Sequence, residues 1–267
     1  MQLTTLQFRV YDHNIRYDNQ NNRDDGERLW SERKVDIVSS INFHTQYLSV
    51  VTLQEVLHNQ LEDILEGLGD DWTYYGIGRD DGKTKGEYAP VLFRKSEWKL
   101  TDSWTKWLSD TPEEPSRGWD AVLPRIVTFA RLKHKVSGRE VGIFNTHYDH
   151  AGEEARKQSS KLIIGWMKDA LESIPVSLSG DFNSSRTDIA YETLSKELLD
   201  SGTQLPEKQR YGHSNTFCGF QGKDAQYIDF IWLPPQGVKL RAFGIAHSEF
   251  HGYYMSDHRP VIADLEV

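Results

Sequence analysis

Ser179-Gly180-Asp181-Phe182-Asn183-Ser184-Ser185 directly follows the short apolar run Pro175-Val176-Ser177-Leu178, and the reading of that junction decides the fold. The run suits a buried strand, so Asp181 and Asn183 are predicted where a strand runs out into a loop. Ligand groups gather at that position in open α/β sheets. Gly180 permits a tight turn or a close backbone approach, while an acid and an amide two positions apart offer an acceptor that can orient water and a donor for a phosphoryl oxygen. Taken alone, such a stretch is more often a plain turn, because Asp, Asn, Ser and Gly are the commonest turn formers. The functional reading gains ground only because other predicted strand ends carry matching chemistry.

Outward from this junction, strands are predicted over 6–11, 48–53, 72–77, 89–94, 125–132, 141–144, 227–232, 238–246 and 261–267. Helices are predicted over 31–43, with Ser31 as N-cap and Val35, Val38 and Ile41 on one face, and over the run Leu57, Leu61, Ile64, Leu65, Leu68, ended by Gly69. The clearest amphipathic helix carries Leu162, Ile163, Trp166, Met167, Ala170 and Leu171, and a further one covers 189–199. Residues 78–88 form a glycine-rich loop that reads equally well as a solvated hairpin or as a substrate contact, the latter through Arg79 to Glu87. Residues 109–124 form a long ordered loop, since Trp107 and Trp119 would be costly to expose. No repeat, linker or composition shift marks a boundary, so residues 1–267 are read as a single domain. Strands alternating with helices, together with long antiparallel-looking stretches, suggest an α/β fold of two packed mixed β-sheets flanked by helices.

A formal net charge of -9 argues against a general basic surface for long nucleic acid, so a small or short phosphorylated substrate fits better. Cys218 is the only cysteine, which excludes a disulfide framework and a thiolate zinc cluster. Residues 1–9 lack a basic segment followed by a long apolar run, and no later segment has the length and apolarity of a bilayer span. A soluble, cytoplasmic monomer without membrane contact is expected.

The polar residues at the strand edges are Asn14, Glu55, His147, Asp181, Asn183, Asp229, Asp257 and His258. They comprise hard oxygen ligands suited to Mg2+ or Mn2+, a carboxylate to orient water, and histidines and amides for phosphoryl oxygens. Phosphoester hydrolysis needs such parts, because the attacking water must be aligned and charge building on the phosphoryl oxygens must be met.

In order, Tyr11-Asp12-His13-Asn14, Leu53-Gln54-Glu55-Val56, Asn145-Thr146-His147, Gly180-Asp181-Phe182-Asn183-Ser184, Tyr227-Ile228-Asp229-Phe230-Ile231 and Ser256-Asp257-His258-Arg259-Pro260 span nearly the whole chain. The ordered set resembles the metal-dependent endonuclease/exonuclease/phosphatase superfamily. It is most similar to small single-domain hydrolases and more distantly similar to the deadenylase and nocturnin branch. The resemblance implies a four-layered α/β sandwich with the site at one end of the two sheets. It implies Glu55 as the principal magnesium ligand, with Asn14 beside it and Asp257 near the metal. Asp181 would orient or deprotonate water, Asn183 would hold a phosphoryl oxygen, and His147 and His258 would contact the scissile phosphate. Asp229 would accept from His258 and favour its charged form. One departure concerns Arg16, which stands where DNA-repair members carry an acid and argues against a second metal there.

As lone residues, Glu55 would cap the helix after it, His147 would be a core histidine, and Asp257-His258 would be a turn. Asp229 in an apolar strand needs a partner on any reading. Trp119, Tyr148 and Tyr254 are potential stacking partners for a base or sugar, with packing the default for each. The first functional expectation is a phosphodiesterase acting on a small or single-stranded substrate. The second is a phosphomonoesterase acting on a nucleotide, sugar or inositol phosphate. The third is a non-catalytic binding module, which has no reason to keep Glu55, Asp181 and His258 together.

Overall fold

A computed structural model describes residues 5–223 and 225–267. Residues 1–4, the start of the stretch read above for a targeting signal, lie outside the described residues. One sheet runs from edge to edge as β10 (Arg210–Gly212), β12 (Lys239–Ile245), β15 (Val261–Glu266), β1 (Gln7–Asn14), β2 (Ser49–Gln54), β4 (Val91–Arg94) and β3 (Trp72–Tyr75). The other runs as β5 (Trp98–Trp107), β6 (Ile126–His134), β7 (Glu140–His147), β8 (Val176–Asp181), β11 (Asp229–Leu233) and β9 (Leu199–Asp200). A short hairpin pairs β13 (Glu249–Phe250) with β14 (Tyr253–Tyr254). The helices are α1 (Trp30–His44), α2 (His58–Leu68), α3 (Glu153–Leu171), α4 (Ile189–Ser195) and α5 (Ser201–Gln204).

Strand alternation explains the layering. Val10 and Val50 point between the sheets, with Phe93 opposite Ala130, Val141, Ile143 and Ile231 in one core, while the next residues along, Tyr11 and Val51, face Ile37, Ile41, Leu61 and Ile64 of α1 and α2. On the far side Phe144, Leu178, Phe230 and Trp232 pack on Ile163, Met167, Ala190 and Leu194 of α3 and α4. The result is the expected four-layered sandwich.

The sheets deliver polar residues to one end. β1 and β2 are parallel with Asn14 opposite Gln54, so Glu55 follows at the same edge. In the other sheet the parallel pair β7 and β8 sets His147 beside Asp181, and antiparallel β11 sets Asp229 on the other side of Asp181. Three of the expected residues thus stand in one row across adjacent strands.

Several local expectations are corrected. Helix α1 begins at Trp30, not after Ser31: the Trp30 indole is buried and donates to Asp63 (2.8 Å), and Glu32 rather than Ser31 accepts from the backbone N–H at the cap position, Leu29 (3.3 Å). That phase buries Arg33, Ile37 and Ile41 and leaves Val35 66% exposed. The helix predicted over 189–199 stops at Ser195, and Leu199–Asp200 joins a sheet edge. Trp107 is buried and donates to the Arg79 carbonyl (2.7 Å), whereas Trp119 is 36% exposed. The 109–124 loop is ordered by other bonds: Asp149 accepts from Val122 and Leu123, and Asp120 accepts from Glu154 and Ala155 at the start of α3. Among the described residues, no helix is long and apolar enough to cross a membrane.

Candidate active site

Glu55, Arg16 and Asn183 have φ of 59°, 57° and 45°, left-handed values uncommon for residues with a Cβ. All three line one cleft of about 520 Å3 at the polar end of the sandwich. Such strain gathers where the surroundings over-determine a side chain's aim. For Glu55 the turn lifts the carboxylate off the strand end, so it does not cap α2; Gln60 accepts from the Leu57 N–H instead (3.0 Å).

Asn14 stands between two carboxylates. Its Nδ2 donates to Glu55 Oε1 (3.0 Å) and Asp181 Oδ2 (2.9 Å), and its oxygen accepts from the Arg16 N–H (3.0 Å). In this arrangement Asn14 ties the two acids together with its amide nitrogen. The second oxygen of Glu55 accepts from the Tyr17 N–H (3.2 Å). Burial and Glu87 push the Glu55 carboxyl up, but positive charge at Arg16 and the Asn14 bond work the other way, and the balance holds it below its usual range.

Asp181 is buried at 1% exposure. Its Oδ1 accepts from the Asn183 N–H (2.8 Å), and its Oδ2 lies 3.5 Å from His147 Nε2 and 3.7 Å from His258 Nε2. Burial and the neighbouring Asp229 raise its pKa, the direction that suits a proton acceptor. His258 is buried with Nδ1 at 3.0 and 2.9 Å from the two oxygens of Asp229. Burial alone would lower the imidazole, but Asp229 and Asp181 reverse this and hold it well above its usual value.

His147 behaves oppositely. Burial, then Arg125, push it down to about 3, so it is neutral. Asn183 Nδ2 donates to the Tyr148 carbonyl (3.0 Å), which fixes the amide, and its other hydrogen meets His147 Nε2 (3.0 Å). The ring proton then belongs on Nδ1, a buried atom without a hydrogen-bond partner among the described residues, 3.6 Å from Glu87. Asn183 and His147 therefore satisfy each other here.

Asp257 is buried, and its pKa is pushed up to about 6 by burial, with Glu55 adding to the rise. Arg16 reaches it at 3.9 Å and also pairs with Asp24 (2.8 Å) and Glu27 (3.4 Å). A guanidinium thus already supplies positive charge on the Arg16 side of the cleft. Beneath the cleft, Asp12 accepts from Thr52 and Gln54 (both 2.8 Å), and Gln54 also donates to Asn145 (2.7 Å). His13 faces the His258 carbonyl (3.1 Å), so the first motif buttresses the site from behind.

The donor set fits a hard divalent cation. Glu55 and Asp257 are mutually repelling carboxylates on one cleft, and single ligand atoms of Glu55, His147 and Asp181 lie within 4.8 Å of one another. A cation would offset the repulsion that raises Asp257. The cleft also presents residues that sequence reasoning did not single out for the site, Tyr17, Leu123, Arg125, Phe217 and Gln226, together with Glu87 from the 78–88 loop. Trp119, Tyr148 and Tyr254 are not among its lining; Tyr148 is fully buried. Of the 78–88 loop, Arg79 is spent on a two-pronged pair with Glu87 (2.8 Å each), a signal an eight-residue spacing does not disclose.

Chains solved from two Bacteroides species share this architecture from end to end. An endonuclease/exonuclease/phosphatase from Bacteroides vulgatus is 39% identical, with 97% of this chain and 98% of that chain covered and a TM-score of 0.87. A family protein from Bacteroides thetaiotaomicron is 33% identical over 98% of both chains, with a TM-score of 0.89. The chain belongs to the endonuclease/exonuclease/phosphatase family. A further family structure, a mannosyl-6-phosphatase from Bacteroides thetaiotaomicron, is 32% identical, covering 97% of this chain and 99% of that one at a TM-score of 0.86. The human nocturnin catalytic domain, 21% identical at a TM-score of 0.72, shares the fold. An uncharacterized protein of Acanthamoeba polyphaga mimivirus is 34% identical over 171 residues, 60% of this chain and 63% of the viral protein, so the match spans less than two thirds of that relative. No protein-family profile matches the chain.

Proposed function

We propose that this chain is a divalent-metal-dependent phosphoester hydrolase acting on a small phosphorylated molecule. The observation that carries this reading is the row His147, Asp181, Asp229 across adjacent strands, facing Glu55 and Asp257 over one cleft. Glu55 and Asp257 would hold Mg2+ or Mn2+, with Asn14 orienting Glu55. The cation, when bound, supplies charge stabilisation for the phosphoryl oxygens.

The chain's own groups divide the remaining work. Asp181 Oδ2 takes a proton from the attacking water, helped by the burial that raises its pKa. His258, kept charged by Asp229, donates from Nε2 to a phosphoryl oxygen. Asn183 and His147, bonded to each other without substrate, turn to the phosphoryl group when it displaces that bond.

Both substrate readings, a short phosphodiester and a phosphomonoester, use this machinery. The phosphomonoester reading has a specific observation in its favour, the end-to-end similarity to a mannosyl-6-phosphatase. A cleft with Asp24, Glu55, Glu87, Asp181 and Asp257 on its walls also suits a compact anion carried by a cation better than a long polyanion. The test is a magnesium-supplemented screen of sugar phosphates, nucleotides, bis-aryl phosphate and oligonucleotides. Phosphate release from sugar phosphates or nucleotides supports the monoester reading; cleavage of bis-aryl phosphate or oligonucleotides alone replaces it with the diester one; turnover of none contradicts the proposal.

A further inference from the structure

Arg125 precedes β6 and lines the cleft beside His147 and His150. It is 4% exposed, yet its Nε and Nη1 have no hydrogen-bond partner among the described residues. Those two nitrogens carry more than half of the guanidinium's donors. Only Nη2 is engaged, 3.2 Å from His150 Nδ1.

The nearby acids do not close the gap. Asp149 Oδ2 is 3.6 Å from Nε and accepts instead from the Val122 and Leu123 N–H groups (3.1 and 3.2 Å), while its Oδ1 accepts from Ala151 and Gly152 (3.0 and 2.8 Å). Glu87 is occupied by Arg79 through both oxygens. Leaving buried charged donors unpaired is costly, and a fold that keeps them at a cleft wall reserves them for a ligand. The chemistry that satisfies a guanidinium edge is a planar or tetrahedral oxyanion gripped through two oxygens.

We propose that Arg125 forms an oxyanion subsite for a terminal phosphoryl group of the substrate, on the His147 side of the cleft. This rests on the phosphoester-hydrolase reading and sharpens it. A phosphomonoester has one more terminal oxygen than a diester, so it can engage the Asp181 and His258 side of the cleft and still present oxygens to Arg125. The residue therefore sets a preference for terminal phosphates.

The test is calorimetric titration of inorganic phosphate, and separately of dimethyl phosphate, into the magnesium-loaded full chain as wild type, Arg125→Met and Arg125→Lys. Phosphate affinity should fall about tenfold or more in Arg125→Met, the loss of at least one charge-assisted hydrogen bond. Arg125→Lys should recover little of it, because an ammonium lacks the planar fork. Dimethyl phosphate should bind weakly and respond little to either change. Without phosphate, the melting temperature of Arg125→Met should fall by no more than a few degrees, since only the Nη2 bond to His150 and the long pair with Asp149 are lost, and Asp149 keeps its four backbone donors. Unchanged phosphate affinity in Arg125→Met overturns the subsite, and an equal loss for dimethyl phosphate overturns the terminal-phosphate preference. If Arg125→Met does not fold, Arg125→Lys decides: wild-type phosphate affinity there overturns the proposal. Binding rather than turnover is read, so phosphate held through Arg125 in a protein that hydrolyses nothing would sink the hydrolase reading and leave this one standing.

Discussion

Both carboxylate oxygens of Asp229 face one atom, His258 Nδ1, at 3.0 and 2.9 Å, on a strand whose other side chains are large and apolar. Burial works against the charged imidazole, and Asp229 together with Asp181 reverses it, so His258 is protonated at neutral pH and loses its charge only as pH rises through that elevated pKa. Asp229→Asn removes the main opposing charge, so the alkaline limb of the rate profile should move down by ~1 unit as the rate falls. Adding His258→Ala should then cost little more than His258→Ala alone, because contacting residues are non-additive. An unmoved limb with additive losses in the pH–rate profiles would break the pairing.

Glu55 enters the cleft from a left-handed backbone with both oxygens already hydrogen-bonded. Glu55→Gln keeps that shape but turns a hard anionic ligand into a weak neutral one. Magnesium binding by calorimetry should collapse while the melting temperature without metal changes by no more than a few degrees. Binding should also weaken below pH ~6, where a proton competes for Asp257.

Asp181→Asn should lower turnover by roughly two to four orders of magnitude, the range of a lost general base, with KM nearly unchanged. The structure adds a condition: the new amide must keep its oxygen toward either Asn183 N or Asn14 Nδ2 and cannot serve both. Steady-state kinetics beside a metal titration separates the outcomes, and near-normal turnover would reduce Asp181 to a turn residue.

The legible parts of this chain were those governed by local pattern. Alternation in β1, the β-branched run of β2, the short apolar run of β8 and the apolar stripe of α3 placed the polar strand ends, and the spaced motifs pointed to their family. Strand β5 was not legible, because a register shift between Leu100 and Asp102 breaks its alternation and one face is largely exposed. The short edge strands β9 and β10 have too few residues for any period. Arg125 reads as the ordinary first residue of a strand, since its donors, buried and without a partner among the described residues, come to lie beside the loops around Asp149 and Glu87 only on folding. The mutual bond of Asn183 and His147 is invisible in the same way, as it spans 36 positions.

Arg79 and Glu87 clamp the base of the 78–88 loop with two bonds of 2.8 Å, at side-chain exposures of 8% and 17%. Glu87→Leu strands a buried guanidinium and should cost about 3 kcal/mol, read by denaturant unfolding. Pairing it with Arg79→Met should return most of that loss, because no charge is then left unpaired. Equal losses in the single and double variants would show that the pair does not act as a unit.

The central claim is that this cleft hydrolyses phosphoesters with a divalent cation held through Glu55. Its most direct test is phosphate release from a sugar phosphate by wild type and Glu55→Gln, each assayed in magnesium and in excess chelator. The account predicts turnover for wild type in magnesium alone. Undiminished wild-type turnover in chelator, or full activity of Glu55→Gln, would contradict it.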